Sequence, residues 1–412
     1  MSGNGKKWAC ISRKELFTGK IGLKIRKRIN MWYYLIGSAF ILSLSLSAVS
    51  VWAVMKLAKR WNIIDKPSDR KIHRQSKPLL GGVAIYFTFM VVILAYLIGL
   101  HLFQHQEWFI RYWGTFMHLL PQVQTALPKL FTILVGATIV FVLGIIDDIR
   151  GENFPYQWKF LGQFIAAFTL ILGGVQTNFM PGNLLDYVIT VCWVVGITNA
   201  FNLIDNMDGL ATGVAAIATS LLVILTYQQA QFFNTFIFTV FLGSLLGFLP
   251  YNLYPSKIFI GDAGSMFIGF VLGVLTVTTS YVTSGSPTFV PVVMPLIILG
   301  VPIFDTLSVI IIRLREKRPI FVGDQNHFSH RLVKLGMRQS EAVVFIYIVS
   351  LCVGLGALML PTAEIWECIL ILAQAVLVFG LITFLMHISK SRRLQQHMFK
   401  KPEKVDENSS SS

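Results

Sequence analysis

The chain has 412 residues, of which 54% are hydrophobic and 13% charged, and its mean hydropathy is +0.65. A soluble domain carries about 25% charged residues, so this composition excludes a water-soluble globular protein. The formal charge of +15 would suit nucleic acid, but the Lys and Arg fall between apolar runs, where they set membrane topology and meet anionic membrane lipids; no nucleic-acid partner is expected.

Runs of about 20 apolar residues mark transmembrane helices. They predict an all-α, polytopic integral membrane protein with about eleven spans, near 31–54, 81–103, 129–146, 158–175, 184–201, 210–228, 232–250, 265–284, 289–313, 341–361 and 364–388. The spans at 158–175 and 184–201 are short. A basic N-terminal extension, 1–30, precedes the membrane domain, 31–388. A tail, 389–412, follows it, and its Glu-Asn-Ser end is too polar to fold alone.

With the loop after the first span inside, the inside loops and the tail carry 24 of the 35 Lys and Arg, and the outside loops only Arg111 and Lys129. The other nine lie in residues 1–30, which eleven spans place outside, against the charge rule. An extra re-entrant segment, a basic arm that lies outside regardless, or a native start at Met31 would each remove the conflict; Met31 opens the first span directly, which favours the last. The extension does not read as a cleavable signal peptide, because a long span follows it. Cys10, Cys192, Cys352 and Cys368 form no C-x-x-C or Cys/His pattern and read as small buried thiols.

Carboxylates are costly in hydrocarbon, and this orientation gathers five acid-bearing motifs at the inner face. Asp147-Asp148 ends the third span, followed by Arg150 and Gly151. Two carboxylates at one point need a cation or a proton, which suits a Mg²⁺ site or a general base. Asn199, Asn202, Asp205 and Asp208 recur every third residue, which predicts one polar stripe on a helix. Their oxygens suit Mg²⁺, which often takes one or two carboxylates plus substrate phosphate.

In Phe259-Ile260-Gly261-Asp262-Ala263-Gly264-Ser265, glycines bracket an acid just before a span. They give room for a phosphate to approach a helix N-terminus. The loop 314–340 carries Arg315, Arg318, Asp324, His327 and His330; the two histidines suit a diphosphate or a proton relay. The first inside loop, from Asp65 through Pro67, Arg70, Lys71 and His73 to Pro78 and Gly81-Gly82, suits an anionic substrate or a lipid phosphate. Asp305 lies about two turns inside its span and needs a partner.

The order and spacing of D-D, N-A-x-N-x-x-D-x-x-D-G-L, F-x-G-D-x-G-S and H-x-x-H-R-L resemble the polyprenyl-phosphate N-acetylhexosamine-1-phosphate transferases, glycosyl transferase family 4, over about Asp65 to Leu332. The resemblance implies transfer of a sugar 1-phosphate, GlcNAc-1-phosphate above others, from a UDP-sugar to undecaprenyl phosphate, with release of UMP. It implies a bacterial cytoplasmic membrane, a site facing the cytoplasm, and Mg²⁺, with Mn²⁺ as a substitute. The transfer would open the synthesis of a cell-envelope polysaccharide, and a homodimer is left open.

Carried over by residue, the resemblance makes Asp262 a metal ligand with Asn202 beside it. It makes Asp147 or Asp148 the group that binds or deprotonates the lipid phosphate, and puts Asp205 and Asp208 on the nucleotide side as further catalytic acids. Phe259 would stack on uracil. Asn199, Lys159, Arg315, Arg318, His327 and His330 would contact phosphate and sugar.

Ser329 stands where bacterial members of the GlcNAc branch carry a His, so the motif does not name the sugar. The triple-His run of the phospho-MurNAc-pentapeptide branch is absent. A secondary transporter would set its acids at the midplane among inverted repeats, and here only Asp305 lies deep. The D-G-x-x-A-R signature of CDP-alcohol phosphotransferases is not met at Asp208-Gly209.

Overall fold

Apolar runs of this length fold as helices because hydrocarbon offers no partner to a free N–H or C=O. A computed structural model describes residues 20–65, 76–107, 110–111, 120–151, 154–177, 183–282, 286–319 and 326–399. The loop positions Pro67 to His73, Asp324, most of the basic extension and the tail from Lys400 lie outside the described residues.

The chain forms two units, Met1–Ser280 and Tyr281–Ser412. The first holds α1 (Lys20–Arg60), α2 (Gly81–Phe103), α3 (Leu120–Arg150), α4 (Tyr156–Leu172), α5 (Asn183–Ile204), α6 (Leu210–Gln228), α7 (Phe232–Asn252) and α8 (Gly261–Thr278). Its two-residue strands β1 (Ile64–Asp65) and β2 (Lys77–Pro78) pair antiparallel, Ile64 opposite Pro78. The second unit holds α9 (Met294–Ile298), α10 (Gly300–Arg315), α11 (Phe328–Lys334), α12 (Gln339–Ala357) and α13 (Ile365–Phe399).

Among the described residues nine helices are long and apolar enough to cross a membrane. The pair Val290–Ile298 and Gly300–Arg315, bent by 73°, makes a tenth if it is one broken span rather than a re-entrant loop. The break falls at Leu299, between Pro295 in α9 and Pro302 in the first turn of α10. Proline is tolerated in a first turn, so Pro302 lets α10 restart there. The remaining span of the expected eleven is α4, only 17 residues long. It nevertheless runs antiparallel along α3: Gly162 meets Leu143, Gly136 meets Ala166, and Gly173 meets Thr132.

The first unit alternates up and down, so its helix ends gather in two groups. Trp32 stacks on Phe232, Tyr227 bonds Tyr33, and Asn234 bonds the Thr278 carbonyl at one end. The ends of α3, α5 and α7 and the starts of α2, α4, α6 and α8 meet at the other, where the motif acids lie. Between them packs an aromatic core of Tyr86, Phe89, Phe141, Phe241 and Phe267.

Helices in lipid gain little from the hydrophobic effect between themselves and rely on close packing and hydrogen bonds. The pair α1–α7 shows both. A Cβ on Gly243 would stand 1.9 Å from Ser43 Oγ, and one on Gly247 2.4 Å from the Leu44 carbonyl. Ser47 Oγ donates to the Ser244 carbonyl at 2.7 Å. Small side chains on both helices therefore let the backbones touch.

Candidate functional site

The site grows from the start of α8. Gly261 has φ +72°, a conformation that costs glycine nothing, and it turns Asp262 into the first helical turn. The helix thus begins four residues before the span expected at 265, and Asp262 is helical. The room beside Gly264 is filled by backbone: a Cβ on Gly82 would lie 2.2 Å from Gly264 N, and one on Gly144 2.4 Å from Ala263 Cα. These glycines let α2 and α3 close on the α8 start, a helix-packing role that the phosphate reading did not anticipate.

Asp262 Oδ1 accepts the Asn202 amide at 2.6 Å, and Oδ2 accepts Lys159 Nζ at 3.2 Å. Asn202 also reaches Ser265 Oγ at 3.0 Å. Lys159, near the start of α4, pairs in addition with Asp147, whose carboxyl is 3% exposed. The ammonium therefore lies between two carboxylates.

Asp148 does something else. Its Oδ1 accepts Asp262 N–H at 2.7 Å and its Oδ2 accepts Ala263 N–H at 3.1 Å. Adjacent helical residues do not face the same way. The two acids at the end of α3 consequently do not share one point, as the sequence reading had supposed.

The expected helical stripe also breaks. α5 ends at Ile204, and Gly209 at φ +76° shapes the next turn. Asn199 and Asn202 are helical, whereas Asp205 follows the helix and Asp208 sits in the turn. Asn199 points one turn deeper, giving its amide to Gln163 Oε1 at 2.6 Å. Asp205 is half-buried; burial pushes its carboxyl well above the ordinary range, and the charges of Asp262, Asp148 and Asp208 add to the shift.

Buried Asp208 accepts Ser256 N–H at 2.9 Å and Lys77 Nζ at 3.1 Å. Lys77 also bonds Ser256 Oγ at 2.8 Å and lies 4.9 Å over the Phe259 ring. One face of Phe259 therefore meets an ammonium. Lys77 and Gln163 escaped the sequence reading. Lys77 counts in the sequence only as loop charge, although its place four residues before the Gly81-Gly82 pair is a signal. Gln163, 1% exposed inside an apolar run, was a second signal.

The remaining predicted residues belong to the second unit. Asp305, 1% exposed in α10, has its partner: Oδ2 lies 2.8 Å from His327 Nδ1, and Oδ1 accepts Phe328 N–H at 2.5 Å. His330 follows on α11, its ring 6.3 Å from that of His327. Ser329 is buried at 1% exposure. Arg315 and Arg318 are exposed, and Arg318 pairs with Glu316 at 3.3 Å.

No group of three or more His, Cys, Asp or Glu among the described residues is arranged to hold a metal ion. Mg²⁺ needs no such cage, since one or two carboxylates and substrate phosphates complete its shell. Asp262, 36% exposed, offers that carboxylate, with the side chain of Asn202 beside it. The oxygen donor set fits Mg²⁺ completed by substrate.

Residues 130–280 match the family described as glycosyl transferase family 4. The chain is 34% identical over 371 residues to a Bacillus subtilis protein named probable undecaprenyl-phosphate N-acetylglucosaminyl 1-phosphate transferase, covering 88% of this chain and 93% of that one. It is 29% identical to a Mycolicibacterium smegmatis decaprenyl-phosphate N-acetylglucosaminephosphotransferase, over 74% of this chain and 77% of the relative. Against the Escherichia coli undecaprenyl-phosphate alpha-N-acetylglucosaminyl 1-phosphate transferase the figures are 27%, 74% and 78%.

Proposed function

The chain belongs to glycosyl transferase family 4, and on that premise we propose that it transfers GlcNAc-1-phosphate from UDP-GlcNAc to undecaprenyl phosphate and releases UMP. The coarser activity, a polyprenyl-phosphate sugar-1-phosphate transferase in a multi-pass membrane protein, follows from the family and the relatives' names. The finer assignment of donor and acceptor is supported by the N-acetylglucosaminyl and undecaprenyl names of two relatives.

The observation that carries the chemistry is the Asp147–Lys159–Asp262–Asn202 cluster at the gathered helix ends. A lipid-phosphate oxygen attacks the sugar-bearing phosphorus, the new P–O bond forms, and the bond to the bridging oxygen breaks toward UMP. Both reactants are anions, so the protein must supply positive charge where they meet. Lys159 supplies one ammonium and Lys77 another beside Phe259. Mg²⁺, held by Asp262 with Asn202 adjacent, would neutralise the diphosphate and stabilise the leaving phosphate.

Asp147 borders the same ammonium and is the acid set to orient the incoming lipid phosphate. Asp205 and Asp208 would line the nucleotide side; for His327, His330, Arg315 and Arg318, in the second unit, the family resemblance alone supports a role with phosphate and sugar. The skew of Lys and Arg supports a site facing the cytoplasm, and the family resemblance is what supports a bacterial inner membrane and the opening step of an envelope polysaccharide. The test is radiolabel transfer from a panel of UDP-sugars into undecaprenyl phosphate by purified protein. UDP-GlcNAc should give labelled lipid and equimolar UMP; a preference for another UDP-sugar, or no UMP, would refute the assignment.

A further inference from the structure

The first turn of α8 must find partners for N–H groups that no helix can satisfy internally. Its own N-cap, Ile260, supplies no side-chain bond. Two of the orphan donors, Asp262 N–H and Ala263 N–H, are taken by the two carboxylate oxygens of Asp148 from α3. The fit is tight. A Cβ on Gly261 would stand 2.5 Å from Asp148 Oδ2 and 2.9 Å from Oδ1, so the glycine and the acid occupy adjoining space. The neighbouring Asp147 turns instead to Lys159.

We propose that Asp148 is a positioning residue. It caps α8 from another helix and thereby fixes the turn that aims Asp262, while Asp147 alone of the pair faces the reacting groups. The adjacent acids thus divide into one that holds backbone and one that meets substrate. This inference rests on the proposed transferase reading for its kinetic consequence, but not for its structural one.

The experiment uses the full chain in detergent or nanodiscs, with Asp148→Asn, Asp148→Ala, Gly261→Ala, the Asp148→Ala/Gly261→Ala pair, and Asp147→Asn for comparison. Thermal unfolding needs no substrate. Asp148→Asn keeps one acceptor oxygen, so its midpoint should fall between wild type and Asp148→Ala. The Gly261→Ala methyl loses its carboxylate neighbour when Asp148 is gone, so the double variant should shift less than the sum of the singles.

Binding is then read with UDP in the presence of Mg²⁺. Both Asp148 variants and Gly261→Ala should weaken UDP several-fold, whereas Asp147→Asn should leave it near wild type and lower turnover. Additive midpoints would overturn the cap. Asp148→Asn with wild-type UDP affinity and a raised KM for polyprenyl phosphate would overturn the division of roles. A wild-type protein that binds UDP-sugar but releases no UMP would instead sink the transferase assignment, leaving the melting cycle to judge this one.

Discussion

Replacing Lys159 by methionine removes a cation while keeping most of its apolar stem. At an effective dielectric of about 20, unit charges 3.2 Å apart attract by roughly 5 kcal/mol, the separation of Lys159 from Asp262. Solvent discounts that pair, because Asp262 is 36% exposed and exposed pairs are worth little. Asp147 decides the outcome. At 3% exposed it would be left buried without its cation, a loss of about 3–5 kcal/mol at a pH high enough to keep it ionised, where the comparison is therefore made. Thermal unfolding in detergent without divalent ions should drop by about 4–6 °C. Adding Asp147→Asn removes the stranded charge, so the double variant should melt above Lys159→Met alone. If the double variant is no more stable than the single, the ammonium is not neutralising Asp147 and the electrostatic account of the site fails.

Other outcomes follow from named contacts. Asp305→Asn keeps an acceptor for Phe328 N–H but loses the charged bond to His327; it should cost about 1.5–3 kcal/mol, and His327→Gln should add little in that background, which a double-mutant melting cycle checks. Asp205 has a folded pKa raised above its unfolded value, so the folded state holds the extra proton. Its contribution is present below about pH 4 and is lost as pH rises through the folded pKa. Metal-free protein should therefore melt higher at about pH 5 than at about pH 8, and Asp205→Asn should flatten that slope; an unchanged slope removes Asp205 as its source. Gly243→Ala places a methyl against Ser43 and should cost about 1–3 kcal/mol by overpacking, with partial recovery on Ser43→Gly; a neutral Gly243→Ala would show that α1 and α7 separate easily.

The long apolar runs and the skew of Lys and Arg were enough to read the helical class, because backbone satisfaction in lipid leaves few alternatives. The break at Leu299 was not legible: hydropathy averages over 289–313 and does not register a 73° bend. The motif residues were legible as a set, since acids at the ends of apolar runs are rare. Their division was not. Asp147 and Asp148 are identical in type and adjacent, and only the surroundings of α3 separate an ion pair from a helix cap. Asn199 and Asn202 share a helix face, yet Gln163 draws one away while Asp262 takes the other. The glycines of the Phe259–Ser265 motif signalled close approach correctly, but a sequence does not say whether ligand or backbone approaches.

Where backbones touch, the chain has lost a degree of evolutionary freedom. Gly82, Gly144 and Gly247 would each place an added carbon within 2.4 Å of another helix's backbone, so these positions admit essentially one amino acid. Side chains such as Leu172, Leu184 and Val376 are more than 70% exposed among the described residues and can exchange among apolar residues without disturbing the helix contacts of the chain. Drift in this chain should therefore follow two alphabets, a single letter along the helix contacts and a broad apolar one outside. Lineages can then adapt to bilayers of different thickness and lipid content while the acid-bearing helix ends keep their register.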